Sequence, residues 1–126
     1  MKRNDAVYLS HILDAITQIE IYTAGLSYDQ FSQTRLVQDG VIRQLEIIGE
    51  ASRSLSDDFR DQHSELPWPQ IIGLRNRLIH AYFEVNLGIV WDIVQNDLPP
   101  LRQKVTTWLR NEKDFSHLPL CDGGAT

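Results

Sequence analysis

"DAVYLSHILDAITQIEIYTA", residues 5–24, decides the fold class. Leu9, Ile12, Leu13, Ile16, Ile19 and Tyr22 recur at intervals of three and four, the spacing that lines one face of an α-helix. Gly25 and Ser27 then punctuate its end. The same period carries outward from this stretch. A second long helix is expected from near Asp29 to about Leu55, with Val37, Val41, Leu45, Ile48 and Leu55 on its buried stripe. Gly40 and Gly49 lower its intrinsic propensity, and Gly49 reads as a point of close packing. The polar, proline-closed segment SDDFRDQHSELPWP, residues 56–69, reads as a connection.

Pro67 and Pro69 suit the first turn of a third helix, where a missing N–H costs little. That helix would carry Ile71, Ile72, Leu78 and Ile79 and end near Phe83, with Asn86 and Gly88 marking the turn. A fourth, IVWDIVQND, meets Leu98-Pro99-Pro100 and must kink or restart there, because proline donates no backbone hydrogen bond. Leu101, Val105, Trp108 and Leu109 resume the helical spacing. From Asn111 the pattern is lost, and DGGAT reads as a frayed tail. No strand-like alternation, internal repeat or low-complexity tract competes. The expectation is an all-α, up-and-down bundle of four to five helices, the last kinked or split at Pro99-Pro100. Residues 1–110 would form the single domain and residues 111–126 a C-terminal tail.

Composition narrows the function. The chain of 126 residues is long enough for one core, and its 42% hydrophobic and 23% charged residues are ordinary for a soluble domain. No apolar run approaches a membrane span, Asp5 and Asp14 interrupt any signal-like core, and the one cysteine, Cys121, cannot pair within the chain. A cytoplasmic protein without a membrane partner is expected. A net charge of −5 argues against an extended footprint on nucleic acid, DNA included. Yet between Glu65 and Glu84 there is no carboxylate, and Arg75, Arg77 and His80 all fall in that gap. A local positive patch on an acidic body suits a short engagement with phosphate.

"GLRNRLIHAYFE", residues 73–84, places Arg75, Asn76, His80 and Tyr82 on one helix. Histidine can take or give a proton near neutral pH. Arginine holds phosphate oxygens with a fixed fork of donors and keeps its charge. The Asn76 amide can orient the imidazole or hold a phosphate oxygen. Those are the parts needed for attack of an RNA 2′-hydroxyl on the adjacent phosphorus. No metal or other cofactor is called for, and His11, His63 and His117 show no ligand spacing. Asn76 and His80 share a face, whereas Arg75 and His80 are about 140° apart at ~100° per residue. One helix thus offers two half-sites, and a second copy alongside would complete them. The spacing favours a homodimer with a composite cleft.

The longer stretch LPWPQIIGLRNRLIHAYFEVNLGIVWDIVQNDLPPL, residues 66–101, with IRQLEIIGEAS at residues 42–52, resembles the HepT-like branch of the HEPN proteins. The resemblance runs from the first helix to Leu109. It implies a small helical toxin of a toxin–antitoxin pair acting as a metal-independent ribonuclease, with Arg75 and His80 catalytic and Asn76 the supporting polar residue. It further implies dimerisation and a minimal nucleotidyltransferase antitoxin, which in some members transfers AMP to the motif tyrosine, here Tyr82. Two other readings stay open: an inert helical dimer serving as acceptor module for a nucleotidyltransferase, and a nucleotide-binding bundle. Arg77 lies outside the motif and reads as a surface or structural residue. Glu46 and Glu50, four apart, read as salt-bridge partners for Arg43 or Arg53, or as a support for Arg75.

Overall fold

A computed structural model describes the backbone of residues 1–83 and 86–116 and the side chains of residues 1–78 and 86–111. Every regular element among the described residues is helical: α1 (Arg3–Thr23), α2 (Tyr28–Gln33), α3 (Arg35–Ser54), α4 (Asp57–Gln62), α5 (Trp68–Ile72), α6 (Leu74–Phe83), α7 (Leu87–Asp92), a π turn (Ile93–Asp97) and α8 (Leu98–Ser116). Specific contacts fix their directions. Asp5, near the start of α1, bonds Ser56 just past the end of α3. A methyl group at Gly40 would stand 3.1 Å from the ring of Tyr22 near the end of α1. The two helices are therefore antiparallel. Gly49 lies against the carbonyls of Ile71 and Ile72, and Trp91 of α7 meets Tyr28 and Phe31 of α2. Thus α5 and α6 run back along α3. Arg102 bonds Thr17 and Trp108 packs on Phe59 of α4, so α8 returns antiparallel to α1. The result is the expected up-and-down bundle.

The core is the stripe read from the sequence. Leu9, Ile12, Ile16 and Ile19 of α1, Val41, Leu45 and Ile48 of α3, and Leu101 and Val105 of α8 are all buried. Tyr22, at the end of the first stripe, is exposed instead. Three boundaries differ from the sequence expectation, each for a local reason. The second helix breaks at Thr34, where the Thr34 N–H turns back to the Phe31 carbonyl and the hydroxyl donates to Gln30. Buried Gln38 then donates its amide to the Phe31 carbonyl at 2.8 Å, closing the break. The break leaves α2 as a short helix of its own, opened by a reciprocal Ser27–Gln30 capping box.

The second difference is a helix inside the polar connection. Ser56 caps α4 by accepting from the Phe59 N–H, while its own N–H and hydroxyl donate to Asp5 at 2.8 and 2.7 Å. Phe59 is thereby placed in the core. The third is at Gly73, which separates α5 from α6. At the prolines the chain restarts through the π turn: the Leu98 N–H reaches the Ile93 carbonyl, five residues back, and α8 begins at Leu98. A wide turn of this kind is the usual way to insert a register shift into a helix. α8 then runs to Ser116, past the point where apolar spacing fades. The DGGAT tail lies outside the described residues. Among the described residues no helix is long and apolar enough to cross a membrane.

Candidate active site

α6 is anchored by Leu74 and Leu78, both buried and four apart on its inner face. Helical geometry then turns Arg75, Asn76 and Arg77 outward, and all three side chains are exposed. The first turn is set by Gly73, whose N–H donates to the Pro69 carbonyl at 2.9 Å and whose carbonyl accepts from Arg77 at 3.2 Å.

Arg75 and Asn76 line a groove of ≈ 540 Å³ between the end of α3 and the α5–α6 junction. From the near side come Pro69, Ile72, Gly73 and Asn76, spaced as one helical face, with Arg75 at the edge. From α3 come Gly49, Glu50 and Arg53. The floor is close because Gly49 has no side chain: a methyl there would stand 3.1 Å from the Ile71 carbonyl and 3.5 Å from that of Ile72. Among the described residues, none of Glu50, Arg53, Arg75 and Asn76 has a side-chain hydrogen bond or an ion pair. Arg43 takes Glu46 at 3.9 Å instead, on the preceding turn of α3. The expected salt bridge of Glu50 with Arg53, or with Arg75, is not formed.

Arg77 belongs elsewhere. It borders a second cavity of ≈ 390 Å³ over the π turn, with Asn96, Asp97 and the apolar Ile93 and Leu98. Arg75 and Asn76 are thus brought together, and Arg77 is parted from them by the turn of the helix. His80 and Tyr82 lie on the backbone of α6, His80 one turn beyond Asn76; their side chains lie outside the described residues. Among the described residues, no group of three or more His, Cys, Asp or Glu side chains is placed to hold a metal ion.

What this groove can do is bind an anion at its rim. Two arginines whose guanidinium groups are unengaged among the described residues face solvent beside an amide, the set that phosphate recognition uses. Sequence reasoning passed over Arg53 as a site residue, although its spacing from Gly49 and Glu50 places all three along one flank of α3. The signal was the same G-E-x-x-R run, read there as a salt bridge.

Residues 12–107 match the family model described as ribonuclease HepT-like. A Thermococcus cleftensis protein named as a probable ribonuclease HepT is 42% identical over 104 residues, covering 82% of this chain and 94% of its own. A Caldanaerobacter subterraneus protein named as a candidate RNase is 39% identical over 106 residues, covering 84% of this chain and 95% of its own. A Methanocaldococcus jannaschii protein, whose name joins gamma-glutamylcyclotransferase to a candidate RNase, is 40% identical over 105 residues. That match covers 83% of this chain, which spans only 47% of the relative's length. No solved structure gives a significant match.

Proposed function

The chain belongs to the HepT-like ribonuclease family, and from that premise we propose that it is a metal-independent RNA endonuclease, the toxin of a toxin–antitoxin pair. The observation that carries the reading is the pair Arg75 and Asn76, exposed on the groove at the start of α6 and unengaged among the described residues. His80 follows on the same helix.

In the reaction the RNA 2′-hydroxyl loses its proton to a base and attacks the adjacent phosphorus. The bond to the 5′-oxygen breaks, and that oxygen takes a proton as it leaves. The products are a 2′,3′-cyclic phosphate and a free 5′-hydroxyl. His80 moves the proton, a role histidine fills near neutral pH. Arg75 holds the phosphate oxygens as charge builds on them, a contact worth most where it strengthens in the transition state. Asn76 orients the imidazole or the phosphate through its amide.

Arg75 and His80 are offset by about 140° on a regular helix, so the functional unit is a homodimer in which each site draws Arg75 from one chain and His80 from the other. A minimal nucleotidyltransferase is the cognate antitoxin, and it silences the toxin by transferring AMP from ATP to the Tyr82 hydroxyl, with pyrophosphate leaving. The new phosphate would occupy Arg75 and block entry of the RNA backbone.

Purified protein should cut RNA in the presence of EDTA and leave cyclic phosphate ends, while a folded His80→Ala variant should not cut. Activity abolished by EDTA and restored by Mg²⁺ would overturn the chemistry. Mixing inactive Arg75→Ala and His80→Ala subunits should regain one of two sites in each mixed dimer. Peptide mapping after co-expression with the partner should find AMP on Tyr82; silencing with Tyr82 unmodified would leave control to binding alone.

A further inference from the structure

The α3 side of the groove holds a carboxylate, Glu50, to which the proposed chemistry assigns no role, since His80 moves the proton. An unpaired negative charge beside an RNA backbone repels phosphate. It is favourable there only if it accepts hydrogen bonds from something the RNA brings, and a carboxylate can only accept. Among the described residues Glu50 has no ion pair, although Arg53 lies one turn away on the same helix. Both charges are exposed and face the groove.

The shape of the groove indicates what they meet. Gly49 and Gly73 bring only backbone to its lining, each packed against a neighbouring carbonyl, and Pro69 and Ile72 give it an apolar wall. A base ring laid against that wall would turn its edge toward Glu50. The volume of ≈ 540 Å³ falls within the range of about 300–1,000 Å³ usual for small-molecule sites. Single-stranded RNA is read in this way, by splayed bases bonded along their Watson–Crick edges.

Base chemistry then selects. Guanine presents two adjacent donors, N1–H and the N2 amino group, which match the two carboxylate oxygens. Adenine and cytosine place a ring acceptor beside their amino group, and uracil flanks its one N–H with two carbonyls. Each of those sets an acceptor against the carboxylate. We propose that Glu50 and Arg53 form a nucleotide subsite beside Arg75, in which Glu50 selects an unpaired guanine and Arg53 takes the phosphate of that nucleotide. The subsite rests on the ribonuclease reading of the same groove, and it makes cleavage guanine-directed.

Two readouts separate the subsite from the catalysis. Oligonucleotides that differ only in one base, carrying a 2′-O-methyl group at the cut so that they cannot react, report binding alone. Wild-type protein should favour guanine by about tenfold or more, the size of a good bidentate contact. Glu50→Gln keeps the shape but replaces one acceptor with a donor, so the preference should vanish without loss of affinity for the other bases. Arg53→Ala should weaken all four oligonucleotides alike and lower the salt dependence of binding by about one phosphate contact, and Arg53→Lys should restore part of both. Thermal melts confirm that these exposed substitutions leave the fold intact. A guanine preference that survives Glu50→Gln, an unchanged salt slope in Arg53→Ala, or no oligonucleotide binding by wild type would each overturn the subsite. Cleavage of matched reactive oligonucleotides tests the ribonuclease reading itself: guanine-selective binding without any cleavage would sink that reading and leave the subsite standing.

Discussion

Helix α3 shows two faces built to opposite rules. Toward α1 and α8 it buries Val41, Leu45 and Ile48, and most of the polar groups that enter this interior are satisfied. Asp5 binds Ser56 through both carboxylate oxygens, Thr23 donates to the Ile19 carbonyl, and Gln38 donates to Phe31. Two atoms are exceptions, the Ser52 hydroxyl and, on α4, the Arg60 Nε, both buried without a partner among the described residues. Toward α5 and α6 the same helix offers Glu50 and Arg53, exposed and unengaged among the described residues. Stability is concentrated on the first face and unspent interaction capacity on the second. Buried polar groups must be paired to be tolerated, whereas exposed charges left unpaired are available to a ligand.

The sharpest way to break this contrast is to damage each face and look for damage on the other. Leu45→Ala should cost about 2–5 kcal/mol of stability through lost packing and the cavity left behind, while the molecules that remain folded still cut RNA at the wild-type rate. Arg75→Ala should lower cleavage by roughly 10²–10³-fold, as expected for loss of a group that stabilises transition-state charge. Its stability should stay within about 0.5 kcal/mol of wild type, since it is exposed and has no partner among the described residues. Denaturant titration and single-turnover cleavage check both. If Arg75→Ala melts the protein, the groove face is structural and the contrast fails.

A smaller effect is expected at Asp5. Its carboxylate is 2% exposed and is the tie between the start of α1 and the cap of α4. Asp5→Ala strands the Ser56 N–H and should cost about 1–3 kcal/mol. Hydrogen exchange should show α4 opening before α1 and α3. Uniform loss across the bundle would mean that α4 is not a separable unit.

These residues also show what was legible in the sequence. The stripes of α1 and α3 could be read because a helix with one buried face repeats its apolar residues at a fixed period, and Leu9 through Ile19 obey it. Thr34 could not be read as a break, since no glycine or proline marks it. The chain parts there because Gln38 supplies a side-chain partner to a carbonyl seven residues earlier. The cap of α4 was equally hidden, because half of it comes from Asp5, 51 residues away. At the candidate site, the motif proposed on α6 is local and could be read as Arg75, Asn76, His80 and Tyr82, of which the groove gathers Arg75 and Asn76. Glu50 and Arg53 join Arg75 and Asn76 only through the packing of α3 on α5. Their spacing within one helix suggested that they would pair with each other, and the geometry leaves them apart.

The finest test uses the two glycines of α3, which carry the same helix penalty on opposite terms. Each would gain up to about 1 kcal/mol of propensity on substitution by alanine. At Gly40 the new methyl would come within 3.1 Å of the Tyr22 ring. That ring is exposed and ends a flexible side chain, so it can swing aside. Gly40→Ala should therefore stabilise the protein by a few tenths to about 1 kcal/mol. At Gly49 the methyl would meet the backbone carbonyls of Ile71 and Ile72 at 3.1 and 3.5 Å, with the Leu74 side chain at 3.7 Å. Backbone cannot move aside alone, so α5 must shift outward and carry the wall of the groove with it. Gly49→Ala should be neutral to destabilising by about 1 kcal/mol, the gain in propensity being offset by strain at the contact. Its distinguishing mark lies in function, because displacement of α5 misplaces Pro69 and Ile72 against Glu50 and Arg53. RNA binding should weaken in Gly49→Ala and remain unchanged in Gly40→Ala. Equal gains in melting temperature with unaltered binding in both would mean that the close approach at Gly49 does not shape the groove.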